Sequence, residues 1–193
     1  MAFYPNDAHV PDGLKTDEWV IRPLRVSDVE LDYDAVISSR AELWLRSGGA
    51  WPREGFTLEE NLTDLEQHEQ EHDDRVAFTY TVMNPTETVC LGCLYLTPLA
   101  QMLERVGGST SQVNDVGEHD AVVTFWVRQS RLSDNLDARL LPALLAWFKT
   151  EWVFTRTVFL ARKAQERQIA LFERVGLDLL YTLPNAVVYG PSN

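Results

Sequence analysis

The stretch from Asp120 to Leu177 constrains the fold most, because its hydrophobic periodicity changes in a definite order along the chain. Residues 120–127 are mostly β-branched or aromatic and apolar on both faces, which predicts a buried central strand. Residues 136–148 carry apolar side chains at a 3.6-residue spacing, which predicts an amphipathic helix. A short strand at 157–161 and a second helix at 165–177 complete a β-α-β-α unit.

The second helix of this unit reads Gln-Glu-Arg-Gln-Ile-Ala-Leu-Phe-Glu-Arg-Val-Gly-Leu at residues 165–177. It resembles the final helix of the GNAT superfamily of acyl-CoA-dependent N-acyltransferases, whose usual form is Asn-x-x-Ala-x-x-Leu-Tyr-Glu-Lys-x-Gly-Phe. The matching or closely equivalent positions are Leu171, Glu173, Arg174, Gly176 and Leu177. Without gaps, Val127 to Leu145 then aligns with the family's strand, pyrophosphate loop and helix. Trp19 to Leu24 is similar to the family's opening strand.

The resemblance implies an α+β (α/β three-layer) fold of the GNAT type. In that fold about four helices flank a mixed, mostly antiparallel central sheet of about six to seven strands. The residue pattern agrees with this order, since residues 76–83 and 88–96 alternate as an antiparallel hairpin and residues 179–189 read as a closing hairpin. We expect a single domain at residues 18–193, preceded by an N-terminal arm or loop at residues 1–17.

The resemblance also implies acetyl-CoA or another acyl-CoA as co-substrate. In the family, the central strand binds the pantetheine through its backbone, and the next helix binds the pyrophosphate at its N-terminus. The positions that this assigns to the cofactor are Trp126, Val127, Arg128, Arg131, Leu132, Ser133, Asp134, Asn135, Leu136, Asp137, Gln165 and Phe172.

Three features depart from the family's pattern: the loop at 132–137, Phe172, and Gln165, which stands in place of the family's Asn. The loop at 132–137 lacks the glycines of the family's Arg/Gln-x-x-Gly-x-Gly/Ala motif, although Asn135 can adopt a glycine-like backbone shape. Asp134 and Asp137 would also bring negative charge beside a pyrophosphate, which Arg128 and Arg131 are close enough in sequence to offset. Phe172 replaces the tyrosine that many members use to protonate the leaving thiolate.

The candidate catalytic residues are Glu118, His119 and Asp120, at the start of the central strand. In several family members a carboxylate early in that strand accepts the proton of the amine through water, and His119 has the ordinary pKa best suited to neutral pH. A solvated loop end is the alternative interpretation for all three. For the acceptor, a small amine, we expect contacts from Trp44, Trp51, His68 and His72.

Three functions follow, in descending order. The first is an N-acyltransferase, expected to be an acetyltransferase, that moves an acyl group from acyl-CoA to a small amine. The alternative is a catalytically inactive GNAT-like binding or interaction domain, which the altered loop and Phe172 favour. The third is a zinc peptidase, because His68-Glu69-x-x-His72 satisfies the His-Glu-x-x-His pattern. The acidic, polar sequence around that motif argues against a buried metal site, and we expect no metal.

Composition excludes several partners. A net charge of −12 and a pI near 4.7 argue against nucleic acid, because phosphate binding needs a basic surface. No apolar run approaches the roughly 20 residues that cross a bilayer, and the N-terminus lacks a basic region followed by an apolar core. We therefore expect a cytoplasmic protein without membrane contacts. Burial of the aromatic surface around Trp44 and Trp51 in a homodimer is a further expectation.

The two cysteines, Cys90 and Cys93, form a Cys-Leu-Gly-Cys sequence within a predicted strand. Residues three apart in a regular strand point to opposite faces, so these thiols are not expected to form a ligand pair. We predict that each is a small buried hydrophobic residue rather than a redox or zinc ligand.

Overall fold

The computed structural model describes residues 3–191, which form eight strands and seven helices. The strands are β1 (Leu14–Lys15), β2 (Val20–Pro23), β3 (Phe78–Met83), β4 (Cys90–Pro98), β5 (Asp120–Val127), β6 (Arg156–Arg162), β7 (Asp178–Thr182) and β8 (Ala186–Gly190). The helices are α1 (Val29–Ser38), α2 (Arg40–Ser47), α3 (Leu58–Asp73), α4 (Leu99–Arg105), α5 (Thr110–Asn114), α6 (Leu136–Glu151) and α7 (Glu166–Arg174). No helix in this part of the chain is long and apolar enough to cross a membrane.

The strands form one mixed sheet in the order β1-β2-β3-β4-β5-β6-β8-β7. Every neighbouring pair is antiparallel except β5 and β6, which run parallel. This confirms the predicted mostly antiparallel sheet and the closing hairpin. The strand and helix counts exceed the prediction, because the N-terminal arm contributes β1 and because short helices form outside the periodic segments.

The arm at residues 1–17 is part of the packed structure over its described residues. Leu14 pairs with Ile21 in the sheet. Tyr4 is fully buried against Phe78, and the Tyr80 hydroxyl donates to the Pro11 carbonyl at 2.6 Å. The arm therefore covers one side of the core, which the absence of periodicity in its sequence did not indicate.

The parallel strands β5 and β6 separate partway along their length. Their pairing runs from Asp120 with Arg156 to Val123 with Phe159 and, within the described residues, goes no further. From Phe159 onward β6 pairs on its other side with β8, while β5 remains paired with β4 as far as Val127. The two strands thus diverge into a wedge-shaped opening at their C-terminal ends.

Helices cover both faces of the sheet. On one face, which we call the α6 face, Leu140 and Phe148 of α6 and Phe172 of α7 pack in a core with Phe125 and Phe159. On the opposite face, the α2 face, buried side chains of α1, α2 and α3 pack against Cys93 and Trp126. The same face carries α4, whose Leu99 and Leu103 pack against Val122 and Val158.

A β-bulge in β4 overturns the prediction for the two cysteines. Val82 pairs with Gly92, but the next residue, Met83, pairs with Cys90, so Leu91 is an extra residue in β4. An extra residue shifts the alternation of side chains by one position. Cys90 and Cys93 therefore point to the same face, where both are buried.

Gly92 is required at this bulge. Its φ is +154°, and an added Cβ would lie 2.1 Å from the Trp126 carbonyl oxygen of β5. We expect Gly92→Ala to lower the free energy of unfolding by roughly 2 kcal/mol or more, because the neighbouring strand must move. Urea unfolding followed by circular dichroism measures this.

Gly176→Ala is the matched control, since Gly176 also has a positive φ (+80°) but no atom within 4 Å of an added Cβ. It should cost only about 1 kcal/mol, from backbone strain alone. Equal losses in the two variants would contradict the steric explanation for Gly92.

Candidate functional site

A cleft of about 190 Å³ lies in the wedge between the diverging ends of β5 and β6. Phe125, Trp126 and Val127 of β5 line it. From the α6 face it is bounded by the N-terminal ends of α6 and α7, and from the α2 face by Leu45 and Arg46. The cleft therefore passes through the sheet and is reached from both faces.

The edge of β5 that faces this cleft has backbone groups available for a ligand. Beyond Val123, β5 has no ladder partner on its β6 side among the described residues. Backbone N–H and C=O groups along such an edge need hydrogen-bond partners from solvent or a ligand. An extended, amide-containing molecule could satisfy them as an added strand would.

The structure brings only some of the predicted cofactor residues to the cleft. Those that line it are Trp126, Val127, Leu132, Asp137 and Gln165. Leu136 is buried in the core of the α6 face. Phe172 is also buried there, with its ring 5.7 Å from that of Phe159 and 5.6 Å from that of Tyr189.

Arg128 and Ser133 make contacts elsewhere. The Arg128 guanidinium donates to the Cys90 carbonyl at 3.0 Å and pairs with Asp34 at 2.7 Å. Ser133 donates to the Ser130 carbonyl. Arg128 is thus bound to β4 and α1 and does not offset the charge of the loop at 132–137.

The N-terminus of α6 is occupied by carboxylates of the chain itself. Asn135 precedes the helix in the left-handed conformation, with φ 58°. Arg131 pairs with Asp134 at 2.7 Å, and this hydrogen bond, with a further one from the Leu136 N–H, lowers the pKa of Asp134. Asp137 accepts a hydrogen bond from the Ala138 N–H at 2.9 Å. A helix N-terminus attracts anions, and here these two aspartates supply them.

Arg167 neutralises Asp137 and closes the loop. Its Nε and Nη2 bind the two carboxylate oxygens of Asp137 at 2.5 and 2.8 Å, and Asp137 is only 2% exposed. Nη2 also donates to the Leu132 carbonyl and to Asn135 Oδ1, both at 3.1 Å. Sequence reasoning missed Arg167. The only signal in the sequence was Asp137, an acid in the first turn of an otherwise apolar helix. A carboxylate that is buried there requires a positively charged partner.

The candidate catalytic residues Glu118, His119 and Asp120 lie at the opposite end of β5 from the cleft. The seven residue steps from Asp120 to Val127 span about 23 Å. Asp120 is buried and bound by Arg156 at 2.6 and 3.0 Å and by the Gly117 N–H. His119 Nδ1 lies 3.2 Å from the Phe3 carbonyl oxygen. The structure does not bring these residues to the opening between β5 and β6.

The predicted acceptor residues lie in different surroundings. Trp44 is 40% exposed on α2, whereas Trp51 donates to Asp64 at 3.2 Å. His68 packs 5.4 Å from the ring of Tyr95, which lies on the α2 face. His72 packs against Phe78 and Tyr80, and burial lowers its pKa.

The His-Glu-x-x-His sequence does not assemble a metal site in the structure. Among residues 3–191, neither His68 nor His72 belongs to a group of three metal-ligating side chains. His68 Nδ1 instead lies 3.4 Å from Glu71 Oε2. In a zinc peptidase this histidine would bind the metal.

No protein-family model matches the chain, and no curated protein matches it. Solved structures do. Ribosomal L7/L12 α-N-protein acetyltransferase RimL in complex with coenzyme A has a TM-score of 0.68 at 16% identity, over 94% of this chain and 96% of that chain. The microcin C7 self-immunity acetyltransferase MccE in complex with acetyl-CoA and AMP has a TM-score of 0.69 at 14% identity, over 95% and 98%. Ribosomal-protein-S5-alanine acetyltransferase from Vibrio fischeri gives 0.67 at 15%, over 94% and 96%.

The chain has the GNAT fold. Identities of this size establish the fold alone, and at that level the predicted resemblance is confirmed. In this chain the loop before α6, which lacks the family's glycines, is stabilised by ion pairs. Phe172, which replaces the family's tyrosine, is a core residue.

A cluster of Asp32, Cys90 and Cys93 lies beneath the α2 face, with one ligand atom from each residue within 4.8 Å of the others. Cys93 Sγ donates to Asp32 Oδ1 at 3.3 Å, and Asn61 Nδ2 donates to Asp32 Oδ2 at 3.0 Å. Burial raises the pKa of Asp32. A hydrogen bond with Cys90, together with burial, raises the pKa of Cys93. Metal binding requires thiolates, so this protonated, hydrogen-bonded arrangement favours packing over metal ligation.

The raised pKa of Asp32 predicts a pH dependence of stability. A carboxyl whose folded pKa is above its ordinary value of about 3.9 stabilises the fold at low pH and loses that contribution as the pH rises. Relative to Asp32→Asn, the wild type should therefore lose up to about 1.4 kcal/mol per pH unit from about pH 4 upward. Urea unfolding at pH 4, 5.5 and 7 measures the difference.

Glu30→Gln, which removes an exposed carboxylate from the same helix, is the control and should show no such trend. A difference between wild type and Asp32→Asn that does not change with pH would contradict the assignment.

Proposed function

We propose that the protein is an acyl-CoA-dependent N-acyltransferase that acts on a small amine, with acetyl-CoA as the expected donor. The observation that carries this proposal is the cleft that crosses the sheet between β5 and β6. A donor bound from the α6 face and an acceptor bound from the α2 face would meet there. Solved structures of the same fold contain coenzyme A or acetyl-CoA, which supports the choice of donor.

The reaction needs few side chains. The amine nitrogen attacks the thioester carbonyl carbon, and the carbonyl oxygen becomes an oxyanion. As the oxyanion re-forms the carbonyl, the C–S bond breaks and the thiolate leaves, while the nitrogen loses one proton to a base or to water. The unpaired edge of β5 beyond Val123 can hold the pantetheine and place the carbonyl. Since a free thiol has a pKa of about 8.5, thiolate departure does not depend on a hydroxyl at Phe172. Glu118, His119 and Asp120 stay the predicted base candidates, with their distance from the cleft against them.

The proposed acceptor is a small molecule, because the cleft volume of about 190 Å³ suits one. Some proteins of this fold are named for acetylation of ribosomal proteins, so a protein N-terminus is the acceptor to compare in the same assay. The predicted cytoplasmic location and the homodimer remain predictions.

Acetyl-CoA binding tests the donor site. Isothermal titration with acetyl-CoA should give a saturable heat. S-acetyl-pantetheine lacks the pyrophosphate, and it should lose less affinity relative to acetyl-CoA here than it would at a glycine-rich pyrophosphate loop. The physical reason is that Asp134 and Asp137 already occupy the N-terminus of α6. No heat and no thermal shift at millimolar acetyl-CoA would end the proposal.

Asp134→Asn tests the occupied helix end directly. Removing this exposed charge should tighten acetyl-CoA binding by about two- to fivefold at low salt, because a charge at a helix N-terminus contributes about 0.3–1 kcal/mol. Glu151→Gln, an exposed acid at the far end of the same helix, is the control and should leave the affinity unchanged. Weaker binding in Asp134→Asn would show that the aspartate supports the ligand.

A second candidate function is a GNAT-fold binding domain without catalysis. The ion-paired loop at 132–137 and the buried Phe172 favour it, since neither offers a phosphate site or an acid. Thiol release from acetyl-CoA across a panel of amines separates the two functions. Transfer to any amine above the rate of hydrolysis rules out the second.

A further inference from the structure

Two arginines on the α2 face, Arg46 of α2 and Arg162 of β6, form no ion pair with a carboxylate among residues 3–191. Arg22, Arg53, Arg128, Arg131, Arg139, Arg156 and Arg167 all form ion pairs with Asp or Glu. These are seven of the fourteen arginines of the chain. Among the other seven, Arg46 and Arg162 are distinguished by their place beside the opening between β5 and β6.

Arg46 reaches inward from the last turn of α2 to the central strand. Its Nη2 donates to Thr124 Oγ1 at 2.6 Å, and its guanidinium carbon lies 4.9 Å from the centre of the Tyr95 ring. Glu42 lies one helical turn earlier, at the spacing that favours an ion pair, yet the two form none in the described structure. Arg46 thus contacts a neutral hydroxyl and an aromatic ring, and it lines the cleft together with Glu42.

Arg162 approaches the same region from the other arm of the wedge. It is the last residue of β6, and the alternation of that strand puts it on the face of Val158 and Leu160, the α2 face. Its guanidinium carbon lies 3.8 Å from the Cβ position of Gly48, which ends α2. Arg46 of α2, which contacts Thr124 of β5, and Arg162 at the end of β6 therefore lie on the two sides of the divergence between these strands.

The charges of these arginines act on one another. Burial lowers the pKa of Arg46, and the positive charges of Arg162 and Arg105 lower it further. Arg105 belongs to the last turn of α4, which covers the same face of the sheet. A partly buried guanidinium such as that of Arg46, which contacts a hydroxyl and an aromatic ring but forms no ion pair, is stabilised when an anion binds it. A bound anion would supply the hydrogen-bond acceptors that these groups lack.

This cluster is separate from the helix end that faces a donor's pyrophosphate. Arg131 and Arg167 approach the N-terminus of α6, which packs on the α6 face. Arg46 and Arg162 lie on the other side of the sheet, where the proposed acceptor enters. The two basic groups would therefore bind different molecules.

We propose that Arg46 and Arg162 bind an anionic group of the acceptor, so that the preferred acceptor is an amine that carries a carboxylate or a phosphate. This rests on the proposed function for the amine, but binding of the anion is measurable without any reaction. The donor and acceptor would then carry their anionic groups on opposite faces of the sheet.

Calorimetric titration of matched amines into the full chain tests this proposal. Phosphoethanolamine is compared with ethanolamine, and β-alanine with propylamine. In at least one pair, the member that carries the phosphate or carboxylate should bind at least about tenfold more tightly, as expected for charged hydrogen bonds. This preference should weaken with salt. The pair that shows it distinguishes phosphate from carboxylate. Equal binding of the members with and without the anionic group in both pairs overturns the proposal.

Three variants locate the anion. Arg46→Met and Arg162→Met should each lose at least about tenfold in affinity for the charged amine. Arg174→Met, which removes an exposed arginine from the last turn of α7, should bind as the wild type does. Circular dichroism verifies the fold of each, and Arg162→Met alone decides the matter if Arg46→Met is unfolded.

Arg167→Met separates the two faces of the sheet. Arg167→Met should keep the preference for the amine that carries the anionic group. If Arg167→Met lost this preference and Arg162→Met kept it, the anion would lie at α6 and the proposal would be overturned. Acetyl-CoA titration is recorded in parallel. Anion binding without acetyl-CoA binding would contradict the proposed function and support the anion site. Acetyl transfer without preference for amines that carry an anionic group would support the proposed function and contradict the anion site.

Discussion

The separation of β5 from β6 is the constraint on which the rest of this structure depends. The pairing of β6 with β5 ends at Phe159 within the described residues, whereas its pairing with β8 on the other edge continues to Arg162. The sheet therefore opens at its centre, where both faces are otherwise covered by helices. Burial of the strands holds the opening in place, since Val122, Val123 and Val158 are fully buried just before the strands diverge. The hydrophobic core thus fixes the position of a polar opening.

The sequence predicted the fold well where periodicity alone decides the structure. The central strand formed at 120–127 as predicted, and the helix predicted over 136–148 formed at Leu136–Glu151, because each has one dominant apolar pattern. The bulge in β4 was not predictable in this way. It depends on the pairing of Met83 with Cys90, a register between two strands that neither strand encodes by itself. A one-residue shift there reversed the predicted relation between Cys90 and Cys93.

The candidate site was predicted less completely, because its charged contacts join residues far apart in the chain. The loop before α6 was expected to contain two uncompensated aspartates, yet Arg167 binds Asp137 across 30 residues. Arg46 contacts Thr124 across 78 residues. Spacing within a helix or strand carries no information about such pairs. Both arginines become visible only once the order of helices over the sheet is known.

The ion-paired end of α6 changes what ligand binding would mean at this site. At a glycine-rich loop an anion fills a vacant set of N–H groups, so binding is a simple addition. Here the Ala138 N–H already donates to Asp137, and Arg131 and Arg167 already bind Asp134 and Asp137. A pyrophosphate would have to replace these carboxylates. Each contact that it formed with an arginine or a backbone N–H would require that the same group lose its contact with an aspartate. Salt would weaken both the internal pairs and the incoming ones, so the affinity of an exchange responds to ionic strength less steeply than that of an addition.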